Sequence, residues 1–173
     1  MQIENNIITS RIVIRNYSKS DLPFLIDMWL DEENGKYLSD PTKAYVDDQY
    51  QKALNELEDN LNGYYLTVVL SDTEKVMGSC FIFPDVKKEC FELAYCIHKN
   101  YWGQGYGTEL ISSIIDWVYS YGGTEITAEV AKENIASNLL LKKKGFEVIS
   151  ESKFKKYNMD IYFESYIYRL VLI

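Results

Sequence analysis

The chain contains very few of the side chains that bind metals. Its 173 residues include one histidine, and its three cysteines do not form a Cys-x-x-Cys pair. A structural zinc site needs such a pair or a cluster of cysteine and histidine, so we expect no metal. Cys80, Cys90 and Cys96 each lie in an apolar, strand-like stretch, which is typical of buried thiols in a reducing cytosol.

Long apolar runs and excess basic charge are also missing. No stretch approaches the ~20 apolar residues that cross a membrane, and the first residues, Met-Gln-Ile-Glu-Asn-Asn, do not resemble a secretory signal. We therefore expect no membrane partner and a cytoplasmic location. The net charge of −8 disfavours nucleic acid, which requires a basic surface. This acidity either concentrates a cationic substrate or only maintains solubility.

The apolar content of 47% is sufficient for a globular core, and we interpret residues 1–173 as one domain. The residue periodicity predicts the order β-α-α-β-β-β-α-β-α-β-β. Strands are predicted at 11–15, 64–70, 76–83, 90–97, 125–130, 146–150 and 165–172. Helices are predicted at 22–30, 46–61, 105–121 and 137–144. Hairpin-linked strands followed by a β-α-β crossover indicate an α/β fold with a mixed sheet and helices on both faces.

A glycine-rich segment, Tyr-Trp-Gly-Gln-Gly-Tyr-Gly-Thr at residues 101–108, lies between a predicted strand and an amphipathic helix. Its glycines allow the backbone to approach a ligand closely, and the helix start presents unpaired N–H groups. This pattern is typical of a phosphate site. The dinucleotide fingerprint G-x-G-x-x-G does not fit, because Thr108 or Leu110 occupies the third glycine position. The Gly-Lys-Ser/Thr of a P-loop is absent as well.

Two separated motifs resemble the GNAT superfamily of acyl-CoA-dependent N-acetyltransferases. The superfamily's pyrophosphate loop, Arg/Gln-x-x-Gly-x-Gly/Ala, corresponds to residues 102–107, with Trp102 in place of the usual Arg or Gln. Its second signature corresponds to Asn134, Ser137 and Gly145-Phe146. The Tyr-Trp-Gly-Gln-Gly form is similar to the branch of ribosomal-protein N-terminal acetyltransferases (the RimJ/RimL type), whose relatives include spermidine acetyltransferases.

This resemblance implies acetyl-CoA as cosubstrate and assigns residues to it. Backbone N–H groups of residues 104–108 would hold the pyrophosphate, and the backbone of residues 95–97 would pair with the pantetheine arm, with an oxyanion-hole N–H near Ile97. Asn134 would bind the pantetheine or cap the following helix, and Lys143 would reach a phosphate or only complement the helix dipole. The expected CoA-binding residues are Cys96, Ile97, Gln104, Gly105, Tyr106, Gly107, Thr108, Asn134, Ser137 and Lys143.

The same resemblance implies direct attack of a primary amine on the thioester in a ternary complex. An alkyl amine with a pKa near 10.4 is neutral in only about one molecule in ~2,500 at pH 7, so a base matters more than an acid. Glu92 lies where several family members place such a base, although it also fits a solvated or ion-paired strand residue. Leu141 occupies the position of the usual tyrosine acid, so either no acid is used or another tyrosine replaces it, with Tyr95 and Tyr168 as candidates.

The acceptor is less well determined by the sequence. It could be a protein N-terminus, a polyamine or an aminoglycoside. An acidic cluster in the first two helices and their connection is either a solvated face or a funnel for such cations; it consists of Asp31, Glu32, Glu33, Asp47 and Asp48. The alternative function is a non-catalytic acyl-CoA sensor. The tyrosine-rich C-terminal strand could also form a homodimer interface.

Overall fold

Eight strands form one mixed β-sheet in the computed structural model, which describes residues 1–59 and 61–172. The strands are β1 (Ile7–Ile8), β2 (Ile12–Asn16), β3 (Tyr64–Leu70), β4 (Val76–Pro84), β5 (Cys90–Ile97), β6 (Glu125–Ala131), β7 (Glu147–Lys155) and β8 (Tyr162–Val171). Their order across the sheet is β1-β2-β3-β4-β5-β6-β8-β7. All neighbouring pairs are antiparallel except β5 and β6, which are parallel.

Helices cover both faces of this sheet. They are α1 (Leu22–Trp29), α2 (Asp48–Asn55), α3 (Tyr106–Ser120) and α4 (Ile135–Lys143). The larger core receives Leu110 from α3 and Leu141 from α4, whereas Leu25 and Leu54 of α1 and α2 pack in a second cluster that includes Cys96 of β5. Because side chains alternate along a strand, even-numbered residues of β5 face α1 and α2, and odd-numbered residues face α3 and α4.

The parallel pair separates partway along its length. β5 and β6 pair only from Cys90 to Glu92, opposite residues 125–127. Both strands continue beyond this point, so residues 93–97 of β5 have no paired strand on that side. The separation leaves a gap in the sheet next to the start of α3 and of α4.

The predicted fold class and element order are confirmed, with local corrections. Strand β1 was missed because two residues carry no periodicity. The second helix was predicted to reach Leu61 but ends at Asn55, where a short 3₁₀ turn (Leu57–Asp59) follows; Leu54 is its buried residue, so little packing extends it. Leu61 is 73% exposed, and Asn60 lies outside the described residues.

The closing hairpin is longer than predicted. β7 continues to Lys155 rather than Ser150, and β8 begins at Tyr162 rather than Ser165. β7 is an edge strand and is mostly exposed, so its sequence Glu-Ser-Lys-Phe-Lys did not show the apolar alternation of a half-buried strand. The extra length places the β7–β8 turn beside the connection between α1 and α2.

Candidate active site

A cleft of about 600 Å³ opens where β5 ends. The start of α3 lines it on one side and the start of α4 on the other, and the α1–α2 connection covers its end. Its lining residues include most of the predicted CoA-binding set: Cys96, Ile97, Gly105, Tyr106, Gly107, Thr108, Asn134 and Ser137. The fold therefore brings the two sequence motifs to one cavity.

The glycine-rich loop forms a concave cradle at the N-terminus of α3. Gly105 caps the helix in the left-handed conformation, with φ of 85°, which favours glycine. The first intrahelical bond runs from the Glu109 N–H to the Gly105 carbonyl. Within the described residues, the N–H groups of Tyr106, Gly107 and Thr108 have no acceptor. A helix start of this kind binds phosphate through its unpaired N–H groups and its dipole.

Gly107 is a second position where a glycine matters, for a different reason. Its φ is not in the left-handed region, and the nearest atom to an added Cβ would be a Leu140 methyl group at 3.8 Å. The fold itself therefore tolerates a side chain there. Since Gly107 lines the cleft, the space above it suits the close approach of a ligand.

Arg11 supports the outside of this loop. Its guanidinium donates to the Gln104 carbonyl at 2.9 Å, pairs with Glu109 at 2.7 Å and lies 4.3 Å above the Tyr106 ring. The Gln104 side chain turns away and donates to the Asn100 carbonyl. Glu109 also accepts from the Thr9 hydroxyl at 2.6 Å, so the β1–β2 turn is joined to the first turn of α3.

The free backbone of β5 faces the cleft. The β4–β5 ladder has hydrogen bonds from the His98 N–H to the Met77 carbonyl at one end and from the Asp85 N–H to the Cys90 carbonyl at the other. Antiparallel pairs alternate between bonded and non-bonded residues, so the N–H groups of Tyr95 and Ile97 point away from β4. They point into the gap left by β6, where an extended ligand could pair as an added strand.

The Ile97 carbonyl at the end of β5 is held by two side chains. It accepts from the Trp102 indole N–H at 2.7 Å and from the Asn34 amide at 3.4 Å. Asn34 is 8% exposed and accepts from the Lys99 N–H through its Oδ1. Trp102, the departure from the family motif, therefore connects the pyrophosphate loop to the strand beside it. Neither the contact of Trp102 nor that of Asn34 with the Ile97 carbonyl was predicted from the sequence.

Replacing Trp102 with phenylalanine should weaken CoA binding about threefold to tenfold, because it removes one hydrogen bond worth about 0.5–1.5 kcal/mol and retains most of the ring. Isothermal titration with CoA measures the effect. The matched control is Trp117→Phe on α3, whose ring packs on Tyr64 and Tyr121. Equal losses in the two variants would show that the indole N–H of Trp102 is unimportant.

Tyr95 presents a buried hydroxyl without a hydrogen-bond partner in the described residues. Burial raises its pKa to about 12; the neighbouring Ser137 side chain acts in the opposite direction, but no hydrogen bond of acceptable geometry joins the two hydroxyls. Buried polar atoms normally have partners. The free hydroxyl of Tyr95 therefore suits a polar group of a ligand in the cleft.

The start of α4 forms the wall opposite the cradle. Asn134 caps the helix by accepting from the Ser137 N–H at 3.3 Å, which confirms the capping role, and both residues line the cleft. Behind them, the Tyr168 hydroxyl donates to Asn138 at 2.6 Å and is fully buried. Tyr168 is therefore a packing residue, and the suggestion that it is an acid is wrong. Leu141 is also fully buried in the core.

A smaller pocket of about 220 Å³ adjoins the cleft. The two cavities share lining residues, namely Tyr37, Leu38, Tyr95, Asn134 and Ser137. The charged side chains that line the smaller pocket are Glu92 of β5 and Glu129 of β6. The Glu92 side chain has no ion pair or hydrogen bond within the described part of the chain, whereas the Glu129 side chain accepts from the Ser165 hydroxyl. Sequence reasoning missed Glu129.

The acidic cluster predicted as a funnel has mostly structural roles. Asp31 and Glu33 pair with Lys99 at 3.0 Å each, and Asp47 caps α2 and accepts from the Tyr157 hydroxyl. None of the five lines the smaller pocket, and Glu33 lines the larger cleft. These contacts fit the alternative of a solvated face, and the funnel stays a prediction. Lys143 is exposed in the last turn of α4 and is not among the residues lining either cavity.

Other classes of site are not apparent. Within residues 1–59 and 61–172, no cluster of three metal-ligating side chains occurs. In the same residues, no helix combines the length and apolar character needed to cross a membrane.

Comparisons with known proteins agree with this geometry. The family model described as acetyltransferase (GNAT) domain matches residues 11–147. An uncharacterized N-acetyltransferase, p20 of Bacillus licheniformis, is 27% identical over 143 residues, which is 80% of each chain. In structure, the chain is similar to spermidine N-acetyltransferase from Vibrio cholerae in complex with CoA and spermine, with a TM-score of 0.77, 16% identity and coverage of 94% and 96%.

A second similar structure is an acetyltransferase from Salmonella typhimurium that modifies the N-terminal serine of 50S ribosomal protein L7/L12. Its TM-score is 0.78 at 14% identity, with coverage of 98% of this chain and 100% of that one. The matching family model and the N-acetyltransferase relative identify an acetyl-CoA-dependent acyltransferase. The chain belongs to the GNAT acetyltransferase family.

Proposed function

We propose that this protein transfers the acetyl group of acetyl-CoA to a cationic primary amine by direct attack in a ternary complex. The observation that carries the proposal is the shared wall between the cleft and the smaller pocket, formed by Tyr95, Asn134 and Ser137 among others. Direct transfer requires the thioester and the amine in one continuous space. In this arrangement the cleft holds acetyl-CoA and the smaller pocket holds the amine.

The proposed step begins with the amine. Supplying the neutral form of an alkyl amine at pH 7 costs about 4–5 kcal/mol, so removal of its proton is the main task. Glu92 lines the amine pocket without a competing partner, and it takes this proton directly or through water. The amine nitrogen then attacks the thioester carbonyl carbon to give a tetrahedral intermediate. The C–S bond breaks as the carbonyl re-forms, and the second proton lost by the nitrogen passes to the departing thiolate, so that the products are the amide and the free CoA thiol.

The carbonyl oxygen and the thiolate need stabilisation during this step. The Ile97 N–H, which faces the cleft, is placed to donate to the developing oxyanion. The thiol should have a pKa near 8.5 like that of cysteine, so full proton transfer from Tyr95, with its pKa of about 12, would be uphill by about 5 kcal/mol. Tyr95 therefore acts as a hydrogen-bond donor to the departing sulfur rather than as an acid.

The acceptor we favour carries more than one positive charge, as a polyamine does. The charged residues lining the amine pocket, Glu92 and Glu129, are both acidic, and its volume of about 220 Å³ suits a slender alkyl chain. The V. cholerae relative was solved with spermine, which is consistent with this class. The N-terminal-serine modifying relative makes a protein N-terminus the second candidate, in keeping with the proposed RimJ/RimL-type branch.

A thiol-release assay with acetyl-CoA tests the function. Polyamines, aminoglycosides and N-terminal peptides serve as acceptors, and we expect the highest kcat/KM with a polyamine. A preference for peptides would move the assignment to the second candidate. If CoA binds tightly but none of these amines causes release of the CoA thiol, the result would instead support a non-catalytic acyl-CoA sensor. The absence of any thermal shift with CoA would contradict the CoA cleft itself.

A further inference from the structure

Two segments distant in sequence meet at the edge of the amine pocket. One is the α1–α2 connection, which contributes Tyr37, Leu38 and Ser39 to the pocket wall; the other is the end of β7, which contributes Phe154. The Tyr37 ring packs edge-on against Phe163 of β8 at 5.6 Å between centroids. The shape of the pocket therefore depends on how the irregular α1–α2 connection is attached to the β7–β8 hairpin.

A buried lysine makes this attachment. Lys156, the first residue after β7, is 4% exposed. Its ammonium group donates to the carbonyls of Gly35, Leu38 and Asp40 at 2.8, 2.9 and 2.7 Å. All three of its N–H donors are therefore used. The next residue extends the contact, because the Tyr157 N–H donates to the Ser39 carbonyl at 2.7 Å.

Burying the Lys156 ammonium group costs free energy, which its hydrogen bonds must offset. A buried ammonium is expensive unless it is paired and fully hydrogen-bonded, and burial lowers the pKa of Lys156 while Asp40 opposes the shift. The three carbonyls belong to a connection without a helix or strand. Its turn bonds include one from the Leu38 N–H to the Gly35 carbonyl, but the carbonyls of Leu38 and Asp40 accept from no backbone N–H in the described residues. The Lys156 ammonium thus joins three backbone carbonyls across residues 35–40, in addition to the turn hydrogen bonds of that segment.

We infer that Lys156 is a positioning residue, which fixes the Tyr37–Ser39 wall and thereby sets the affinity for the acceptor amine. This inference rests on the proposed function of the smaller pocket. Lys156 itself lines neither cavity. Tyr37 and Leu38 also line the end of the larger cleft. The main contacts proposed for CoA, however, come from the α3 cradle and the free edge of β5, and the hydrogen bonds of Lys156 go to neither of them.

The test is Lys156→Met, which keeps much of the apolar length and removes the charge and the donors. We expect the KM for the acceptor to rise about tenfold or more, since a displaced wall misplaces the substrate, whereas the CoA Kd changes less than about threefold. The matched control is Lys155→Met. The side chain of this neighbouring lysine is exposed, and its ion pair with Asp160 is long, at 4.0 Å. An unchanged acceptor KM in Lys156→Met, or parallel losses for CoA and acceptor, would overturn the inference.

Amide hydrogen exchange separates this inference from the proposed function. If no amine is acetylated by the wild type, the function fails, but residues 35–40 should still exchange faster in Lys156→Met than in the wild type. If that variant does not fold, the wild type alone provides the measurement. The Tyr157 amide should exchange slowly because it donates to Ser39; rapid exchange there, or no change at residues 35–40 in the variant, would contradict the attachment.

Discussion

Replacing Glu92 with glutamine should lower turnover of an alkyl amine by about 100-fold or more, the usual loss when a general base is removed. Glutamine preserves the shape of the side chain but cannot take a proton. The CoA Kd should not change, because Glu92 lines the amine pocket and not the cleft. Steady-state kinetics and CoA titration on the same preparation measure the two effects separately.

The pH dependence makes this prediction more specific. The variant can use only the neutral amine, so its kcat/KM should rise about tenfold per pH unit from pH 7 to 9, below the amine pKa near 10.4. In the wild type, where Glu92 deprotonates the bound cation, the rise should be much shallower. Glu147→Gln, an exposed glutamate at the start of β7, is the control and should behave as the wild type. Unchanged turnover in Glu92→Gln would remove Glu92 as the base.

Replacing Gly107 with valine should weaken CoA binding about 100-fold, which corresponds to about 2.8 kcal/mol. The added side chain would occupy the space above the unpaired N–H groups of the α3 cradle, where the pyrophosphate is expected. Stability should change little, because the nearest atom to an added Cβ is 3.8 Å away and valine is tolerated in helices about as well as glycine. CoA titration and thermal unfolding without ligand measure the two quantities.

Two comparison variants distinguish a loss of CoA affinity from a loss of stability. Ser120→Val introduces the same side chain at the far end of the same helix, and it should leave CoA affinity unchanged. Gly78→Val should fail differently: its Cβ would lie 2.5 Å from the Cys96 carbonyl oxygen, so the sheet itself would be destabilised. CoA affinity in Gly107→Val equal to that of the wild type would show that the cradle does not hold the pyrophosphate.

Patterns within continuous segments predicted most of the fold. The aromatic and β-branched residues at 64–70 reflect the burial of β3, and the apolar stripe of α3 reflects burial of one helix face, which leaves a period in the sequence. The exposed end of β7 had no such period, because Phe154 is its one apolar residue among charged and polar ones. α2 was overextended for a related reason: helical propensity continues past Asn55, but tertiary packing does not.

The candidate site was predicted unevenly. Gly105, Gly107, Asn134 and Ser137 were recognised because each belongs to a motif with a set spacing. Asn34 and Glu129 were not, since an asparagine before a glycine and a glutamate in a strand carry no distinctive local signal. Lys156 follows Lys153 and Lys155 in the sequence, and only its burial distinguishes it from these exposed neighbours.

The sequence by itself determined the phosphate-binding motif, and the resemblance of its two motifs to the GNAT superfamily indicated the acetyl donor. A glycine-rich turn before a helix creates a phosphate site from backbone N–H groups, and its covalent spacing is visible in the linear chain. Only the tertiary structure decided the surroundings of the pocket proposed for the acceptor. Glu92 and Glu129 come together through the register of β5 and β6, and the pocket wall depends on Lys156 meeting carbonyls about 120 residues earlier. Such contacts arise from packing between distant segments, and local sequence patterns do not predict them.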